Sequence, residues 1–509
     1  MTVVPAELTA LHERAAILSD LGRIHALLFW DQNTMMPPDG APARGDHAAT
    51  LEAVTHERLT DPELGRLLDA LEPWAAGLDP DADDARLVRE LRRDFEKAVR
   101  VPTSLAAELS RAAAHGQAAW QEARAVGDFA RFRDALERQI ELRNRYIDCF
   151  TGFGHPYDVL LDDFEPGMTT AALRPLFAEL CDGLLPLVAG AAAGDAKPQG
   201  APFGGPYEVE DQRRAVMAVL EGVGFDPDAW RLDVAPHPFA QQIAHGDIRI
   251  TTRYDLNDFT GAYFGSLHEF GHGLYEACIP VRLARSPLGA PVSLGVHESQ
   301  SRMWENIVGR SRAFCAWVLP LLEANLPAWP AATTADDLYR GVNGVHRSLI
   351  RVEADETTYN LHILLRFELE LALVEGTLAV DDVPHAWNEG MLRLLGLDVP
   401  DDSQGVLQDV HWSAGLIGYF PTYTLGNLMA AQIWERAGAE LPDIGAQLER
   451  GDFAPLRSWL AERVHAHGRK LTPAELLDRV TGQELGVAPF LQYLRGKLDD
   501  AGVLTTAPR

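Results

Sequence analysis

The chain has 509 residues and a formal net charge of −29, and 47% of its residues are hydrophobic. This length and composition are typical of a globular protein with a large buried core, and they exclude an intrinsically disordered chain. The acidic balance disfavours nucleic acid and anionic membranes as partners, because both would be repelled electrostatically.

The cysteines and the N-terminal segment predict the compartment. None of the four cysteines forms a CxxC pair, which favours buried free thiols in a reducing environment over disulfides or a metal site. They are Cys149, Cys181, Cys278 and Cys315. The N-terminus lacks a basic segment followed by an apolar core, and no apolar run reaches membrane-spanning length. We therefore expect a soluble cytoplasmic protein with no membrane partner.

Most of the chain has apolar residues three and four positions apart, which is the period of an amphipathic helix. Helices are predicted on this basis at 5–30, 83–100, 103–127, 129–150 and 169–188. Short segments rich in proline, glycine and aspartate interrupt the pattern at 29–45, 79–84 and 194–208. No linker is long or polar enough to mark a domain boundary. The sequence thus predicts one mostly helical body over 1–509.

One region departs from the helical period. The stretches 230–235 and 247–252 alternate between apolar and polar residues, which is typical of short strands. They precede the segment "SLHEFGHGLYE", residues 266–276. A small β-sheet is therefore expected beside whatever site that segment forms.

The segment 266–276 contains the pattern HExxH. On a helix, His268 and His272 lie about 40° apart around the axis and about 6 Å apart along it, so both imidazoles can bind one metal ion. Glu269 lies on the flank of the same face, where its carboxylate can reach a water molecule without binding the metal. The pattern also occurs by chance, so a third ligand is needed to make it specific.

The third ligand is expected on the segment 291–314. Ser293 can cap a helix there, and Glu298, Ser301, Arg302 and Glu305 then share one face at helical spacing. The residues alone leave two interpretations of Glu298 open. It is either the third metal ligand or the i,i+4 ion-pair partner of Arg302.

Several spaced motifs resemble the Taq-type metallocarboxypeptidases, a family of zinc- or cobalt-dependent exopeptidases. The matching segments extend from about residue 30 to about residue 430, and together they are highly specific. They are HEFGH, HESQSR, DIRITT at 247–252, IRVEAD at 350–355, GVLQDVHW at 405–412, WDQNTMMP at 30–37 and GYFPTYTLGN at 418–427.

The resemblance implies a mainly α fold. Such a fold is a helical clamshell with a deep active-site groove, similar in architecture to neurolysin-like peptidases, here with the small β-sheet beside the metal site. Because members of the family are commonly homodimers, the resemblance also implies that this chain forms a homodimer.

The resemblance further assigns roles at the predicted metal site. His268, His272 and Glu298 become the metal ligands, and Glu269 becomes the catalytic acid and base. One divalent ion per chain is implied, with zinc preferred over cobalt and manganese, which suit the same ligand types.

Further residues are candidates for binding the substrate. Tyr423 and His411 are candidate donors to the oxyanion that forms at the scissile carbonyl, although each also fits a structural role. Arg351 is the first choice and Arg249 the second for a bidentate pair with the substrate α-carboxylate. Either arginine could instead pair with the aspartate of its own motif, Asp355 or Asp247.

The predicted function is a metal-dependent carboxypeptidase of broad specificity that releases C-terminal amino acids from peptides. A metallo-oligopeptidase or endopeptidase with an open-ended groove uses the same chemistry and would release internal fragments instead. A third alternative is an inert helical peptide-binding protein, whose site would not cleave peptides.

Overall fold

The structure, a computed structural model, describes residues 4–191 and 203–504. It is mainly helical with one small sheet, as the sequence predicts. Of the predicted break at 194–208, residues 194–202 lie outside the described residues. No helix in these two ranges is both long enough and apolar enough to cross a bilayer.

Twenty α-helices are found in the described ranges. They are α1 (Glu7–Thr34), α2 (Ala41–Leu59), α3 (Pro62–Ala75), α4 (Asp83–Arg100), α5 (Thr103–Val126), α6 (Ala130–Ile147), α7 (Pro156–Leu161), α8 (Thr170–Ala191), α9 (Val209–Val223), α10 (Phe259–Cys278), α11 (Leu294–Arg302), α12 (Arg312–Asn325), α13 (Ala335–Val342), α14 (Glu356–Glu375), α15 (Val383–Leu395), α16 (Pro421–Glu440), α17 (Ile444–Glu449), α18 (Ala454–Arg463), α19 (Pro473–Thr481) and α20 (Ala488–Asp500). The five helices predicted from the apolar period correspond to α1, α4, α5, α6 and α8.

The sheet has three strands, of which the sequence predicted two. They are β1 (Trp230–Val234), β2 (Ala240–Ala244) and β3 (Asp247–Thr252), in the order β1-β3-β2. β1 pairs parallel to β3, and β2 pairs antiparallel to it. β2 was not predicted because its residues "AQQIA" lack a clear alternation of apolar and polar side chains.

The residues pack into two compact units, each made of three segments. Of the described residues, the first unit contains 4–99, 203–339 and 433–484, and the second contains 100–191, 340–432 and 485–504. Most segment boundaries lie in ordinary helical or loop sequence, and the one between residues 191 and 203 overlaps the proline- and glycine-rich stretch 194–208. The expected single body over 1–509 stays a prediction.

In the first unit, α10 lies at the centre and packs against α9, α11 and the sheet. Two glycines of α10 permit this close packing. A Cβ atom on Gly271 would lie 2.4 Å from the carbonyl oxygen of Gln300 in α11, and one on Gly273 would lie 2.5 Å from the ring of Trp230 in β1. These contacts fix the HEFGH helix between α11 and the sheet.

In the second unit, α14 forms the core. Nearly all of its residues are buried, since α6, α8 and α15 pack around it. Asp355 caps its N-terminus by accepting hydrogen bonds from the backbone amides of Thr357 and Thr358. Asp355 therefore has a local structural role, and it is not the ion-pair partner of Arg351.

The cysteines in the described ranges are free thiols. Cys315 is buried, whereas Cys149, Cys181 and Cys278 are partly exposed. The expectation of free thiols is thus met, but the expectation of burial holds only for Cys315.

Candidate metal centre

The HEFGH segment lies within α10, which Asp258 caps by accepting a hydrogen bond from the amide of Thr260. Ser293 caps α11 in the same way through the amide of Val296, as the sequence predicts. Both caps fix where the two helices begin. Glu298 on α11 is thereby brought beside the histidines of α10.

His268, His272 and Glu298 each offer one ligand atom, and these three atoms lie within 4.8 Å of one another. Oε2 of Glu298 is 3.6 Å from Nε2 of His268 and 3.4 Å from Nε2 of His272. Two imidazole nitrogens and one carboxylate oxygen make a donor set that suits zinc and related divalent metals. The residues present therefore fit the metal that the sequence motifs imply.

Two of the three candidate ligands, His272 and Glu298, are in the protonation state that binds a metal. Burial lowers the pKa of His272 to about 3, so its imidazole is neutral. Although burial opposes ionisation of Glu298, Arg302 and His268 hold the pKa of its carboxyl well below the ordinary range. Burial alone would lower the pKa of His268, but Glu298 and Glu305 outweigh it and raise this pKa to about 9. A metal must displace that proton to bind.

Glu269 has the environment expected of a proton-transfer group. It is buried, and its Oε2 atom has no hydrogen-bond partner among the described residues. Burial raises the pKa of Glu269 to about 7, and the negative charges of Glu298 and Glu305 add to the effect. Such a carboxyl can exchange a proton near neutral pH.

Two neighbours of the triad were not assigned a role from the sequence. Glu305 was placed on the same helix face as Glu298, and its Oε2 lies 2.9 Å from Nδ1 of His268. His297 stacks on His272 with ring centroids 4.1 Å apart and planes 22° apart. The sequence signal that His297 lies near the candidate metal ligands was its position directly before Glu298.

Arg351 lies in the second unit and is buried. Its Nε and Nη2 atoms donate to Oδ1 of Asp409 at 2.9 and 2.7 Å, and Nη1 donates to the hydroxyl of Tyr359 at 2.9 Å. Arg366 binds Oδ2 of the same aspartate. One carboxylate therefore lies between two guanidinium groups, which leaves the cluster with excess positive charge.

His411 and Tyr423 lie beside Arg351 in this unit. Nε2 of His411 and the hydroxyl of Tyr423 share a hydrogen bond of 3.0 Å, and the Tyr423 ring centroid is 5.1 Å from Cζ of Arg351. Burial, followed by the charge of Arg351, lowers the pKa of His411 to about 3. The second unit thus brings together three of the predicted substrate-binding and catalytic residues.

Arg249 lies in the first unit, on β3. Its Nε and Nη2 atoms donate to the two carboxylate oxygens of Asp247 at 2.9 and 2.8 Å, and its guanidinium lies 4.1 Å from the ring centroid of Trp30. This is the within-motif ion pair that the sequence left open. The bidentate face of Arg249 is therefore already engaged.

An HExxH helix that meets a glutamate from the next helix, in a mainly helical fold, is the arrangement typical of one class of metallopeptidase. The chain belongs to the carboxypeptidase Taq (M32) metallopeptidase family, whose family model matches residues 10–498. It is accordingly a peptide hydrolase of the metallocarboxypeptidase type.

Relatives and solved structures agree with this family membership. The chain is 44% identical to thermostable carboxypeptidase 1 of Thermus thermophilus, over 96% of this chain and 97% of the relative. It is 37% identical to carboxypeptidase 1 of Bacillus subtilis, over 94% and 95% of the two chains. The crystal structure of an M32 carboxypeptidase from Deinococcus radiodurans superposes with a TM-score of 0.94 at 41% identity, covering 98% of this chain and all of that one.

Proposed function

We propose that the protein is a carboxypeptidase of broad specificity that removes amino acids from the C-termini of peptides. The observation that carries the proposal is the convergence of one ligand atom each from His268, His272 and Glu298 within 4.8 Å. These three residues hold one divalent metal, and zinc suits two imidazoles and a carboxylate. Cobalt and manganese accept the same ligand types.

A divalent metal held there supplies Lewis acidity, which lowers the pKa of water and polarises a carbonyl. Glu269 acts as the general base and takes a proton from the attacking water on its unpartnered carboxylate oxygen. The same oxygen then gives the proton to the leaving amine nitrogen. Its raised pKa supports both roles, because a carboxyl that titrates near neutrality can accept and release a proton.

Arg351 binds the free α-carboxylate of the substrate. The excess positive charge of the Arg351–Asp409–Arg366 cluster supports this role, since one carboxylate does not neutralise two guanidinium groups. Arg249 is the weaker candidate, because Asp247 supplies one carboxylate to its one guanidinium group, whereas Arg351 and Arg366 share the single carboxylate of Asp409.

Tyr423 and His411 stabilise the developing oxyanion as hydrogen-bond donors. Their shared hydrogen bond supports a joint role, because the neutral imidazole and the phenol hydroxyl orient each other. Tyr423 is the better donor of the two, since its hydroxyl proton is available to the oxyanion when Nε2–H of His411 donates to the hydroxyl oxygen.

We further propose that the chain forms a homodimer in the cytoplasm. The dimer rests on the resemblance to a family of homodimers, and the location rests on the free thiols, which persist in reducing compartments. Light scattering coupled to size-exclusion chromatography tests the dimer. A mass of 55.9 kDa, that of a single chain, would contradict it.

The function is tested by incubating the zinc-loaded protein with a model peptide and following the products by mass spectrometry over time. Stepwise loss of single C-terminal residues is expected. Internal fragments would indicate an oligopeptidase or endopeptidase instead. An intact peptide, from a preparation that contains stoichiometric metal, would point to an inert peptide-binding protein.

A further inference from the structure

Glu305 lies outside the metal triad but contacts one of its members. Its Oε2 atom is 2.9 Å from Nδ1 of His268, while Nε2 of the same ring points at Glu298. Two positive neighbours, Arg302 and Arg310, face the Glu305 carboxylate at 3.3 and 3.7 Å. The carboxylate is therefore well placed to stay ionised and to accept a hydrogen bond.

An ionised carboxylate can only accept, so Nδ1 of His268 must carry the proton that joins the two side chains. In the neutral ring this leaves the lone pair on Nε2, which is the nitrogen that faces His272 and Glu298. The contact with Glu305 thus selects the tautomer that binds metal and fixes the plane of the ring.

Arg302 connects this contact to the third member of the triad. Its Nε donates to Oε1 of Glu298 at 2.7 Å, and its Nη1 donates to Oε2 of Glu305 at 3.3 Å. Because Arg302 holds Oε1 of Glu298, the other oxygen, Oε2, is the one turned to the histidines. One guanidinium therefore bridges the carboxylates of Glu298 and Glu305.

The backbone changes at this point. The α-helix α11 ends at Arg302, and Met303–Val308 continues as a π-helix that contains Glu305. Single π-helical turns occur frequently at functional sites, because they shift the register of the side chains that follow. The position of Glu305 relative to His268 is thus set by an irregular turn and not by a regular helix.

We propose that Glu305 is a positioning residue for metal binding: it orients His268 and fixes its tautomer, and Arg302 couples it to Glu298. The inference rests on the metal site proposed above. Residues that hold a metal-ligating histidine from behind typically contribute about 10- to 100-fold in metal affinity. We expect a loss of this size for Glu305→Ala and a smaller one for Glu305→Gln, which keeps an oxygen that accepts the Nδ1 proton.

The matched control is Glu90→Gln. Glu90 is a buried glutamate of the same unit, and it pairs with Arg89 at 2.9 Å and with Arg469 at 3.3 Å. It contacts none of the metal triad in the described structure. Its replacement therefore removes a buried ion pair from the unit without touching His268.

The experiment is a competition titration of zinc between a chromophoric chelator and the purified full-length chain. Wild type, Glu305→Ala, Glu305→Gln, Glu90→Gln and Glu298→Ala are compared, and circular dichroism checks the fold of each. The order expected for the zinc dissociation constant is wild type and Glu90→Gln lowest, then Glu305→Gln, then Glu305→Ala, with Glu298→Ala highest.

An unchanged dissociation constant in folded Glu305→Ala would overturn the inference, as would an equal loss in Glu305→Ala and Glu90→Gln. If Glu305→Ala does not fold, the two glutamine variants decide the question. The inference would be overturned if Glu305→Gln binds zinc as tightly as wild type while Glu90→Gln loses zinc affinity. Failure of the metal site itself gives a different result, because Glu298→Ala would then bind zinc as tightly as wild type.

Discussion

Replacing Glu269 by glutamine is expected to stabilise the metal-free protein at neutral pH. The same replacement should remove most of the turnover of the metal-loaded enzyme. In the native chain, burial raises the pKa of Glu269 from its ordinary 4.5 to about 7. The buried carboxyl therefore keeps its proton to a higher pH than the same group in the unfolded chain. Glutamine has nearly the same shape and cannot ionise.

The sign and size of the effect follow from proton linkage. Between about pH 4.5 and about pH 7 the native state binds one more proton at this site than the unfolded state, so the free energy of unfolding falls as the pH rises. Each pKa unit corresponds to about 1.4 kcal/mol, so the shift from 4.5 to about 7 costs about 3 kcal/mol above neutral pH. Glu269→Gln removes this cost.

The assay is urea unfolding of the metal-free wild type and of Glu269→Gln, at about pH 5 and about pH 8, with Glu90→Gln as the control. The glutamine variant should gain stability at the higher pH and little at the lower one. The control loses an ion pair and should show no gain at either pH. A gain of equal size at both pH values, or a loss at about pH 8, would refute the linkage argument.

The same variant separates catalysis from metal binding. Glu269 is not a member of the ligand triad, so elemental analysis of Glu269→Gln should find wild-type zinc content. Its kcat should fall by about 10²- to 10⁴-fold, the usual contribution of a general base. Full activity would remove Glu269 from the mechanism, and loss of zinc would make it a ligand.

Two further predictions concern the triad and the substrate carboxylate. Glu298→Ala should lose most of its zinc affinity. It should keep its helical circular dichroism, because packing holds α11 in place. Unchanged zinc affinity would mean that Glu298 is only an ion-pair partner of Arg302. Amidating the substrate C-terminus should lower kcat/KM of the wild type by about 10- to 150-fold, because a charge-assisted pair with Arg351 contributes about 1.5–3 kcal/mol. Arg351→Ala should be slow on both peptides and discriminate little between them. Equal wild-type rates on acid and amide would contradict the exopeptidase proposal, whereas discrimination that survives in Arg351→Ala would reassign the carboxylate to Arg249.

The sequence predicted much of the metal centre because its information there is local. The i,i+4 spacing of His268 and His272 places both on one helix face whatever the rest of the chain does. The cap at Ser293 and the spacing of Glu298 and Arg302 are equally local, and the structure has each of them. The i,i+4 pair of Glu298 with Arg302 and its approach to the histidines occur together, so the two interpretations were not exclusive.

The partners of Arg351 could not be predicted in the same way. Its own motif offers Asp355, four residues away, but that side chain caps α14. The observed partner, Asp409, is 58 residues distant in the chain and meets Arg351 only because the second unit packs around α14. Local spacing contains no information about such a pairing.

The sequence by itself determined the helical class, the pairing of His268 and His272 on one helix face, and the family, because periodicity and spaced motifs are properties of short segments. Only the tertiary structure decided that β2 joins the sheet, that a π-helical turn brings Glu305 to His268, and that the chain divides into two units of three segments each. These features depend on which distant segments pack together. That choice is made by burial of the whole chain and not by the pattern of any one stretch.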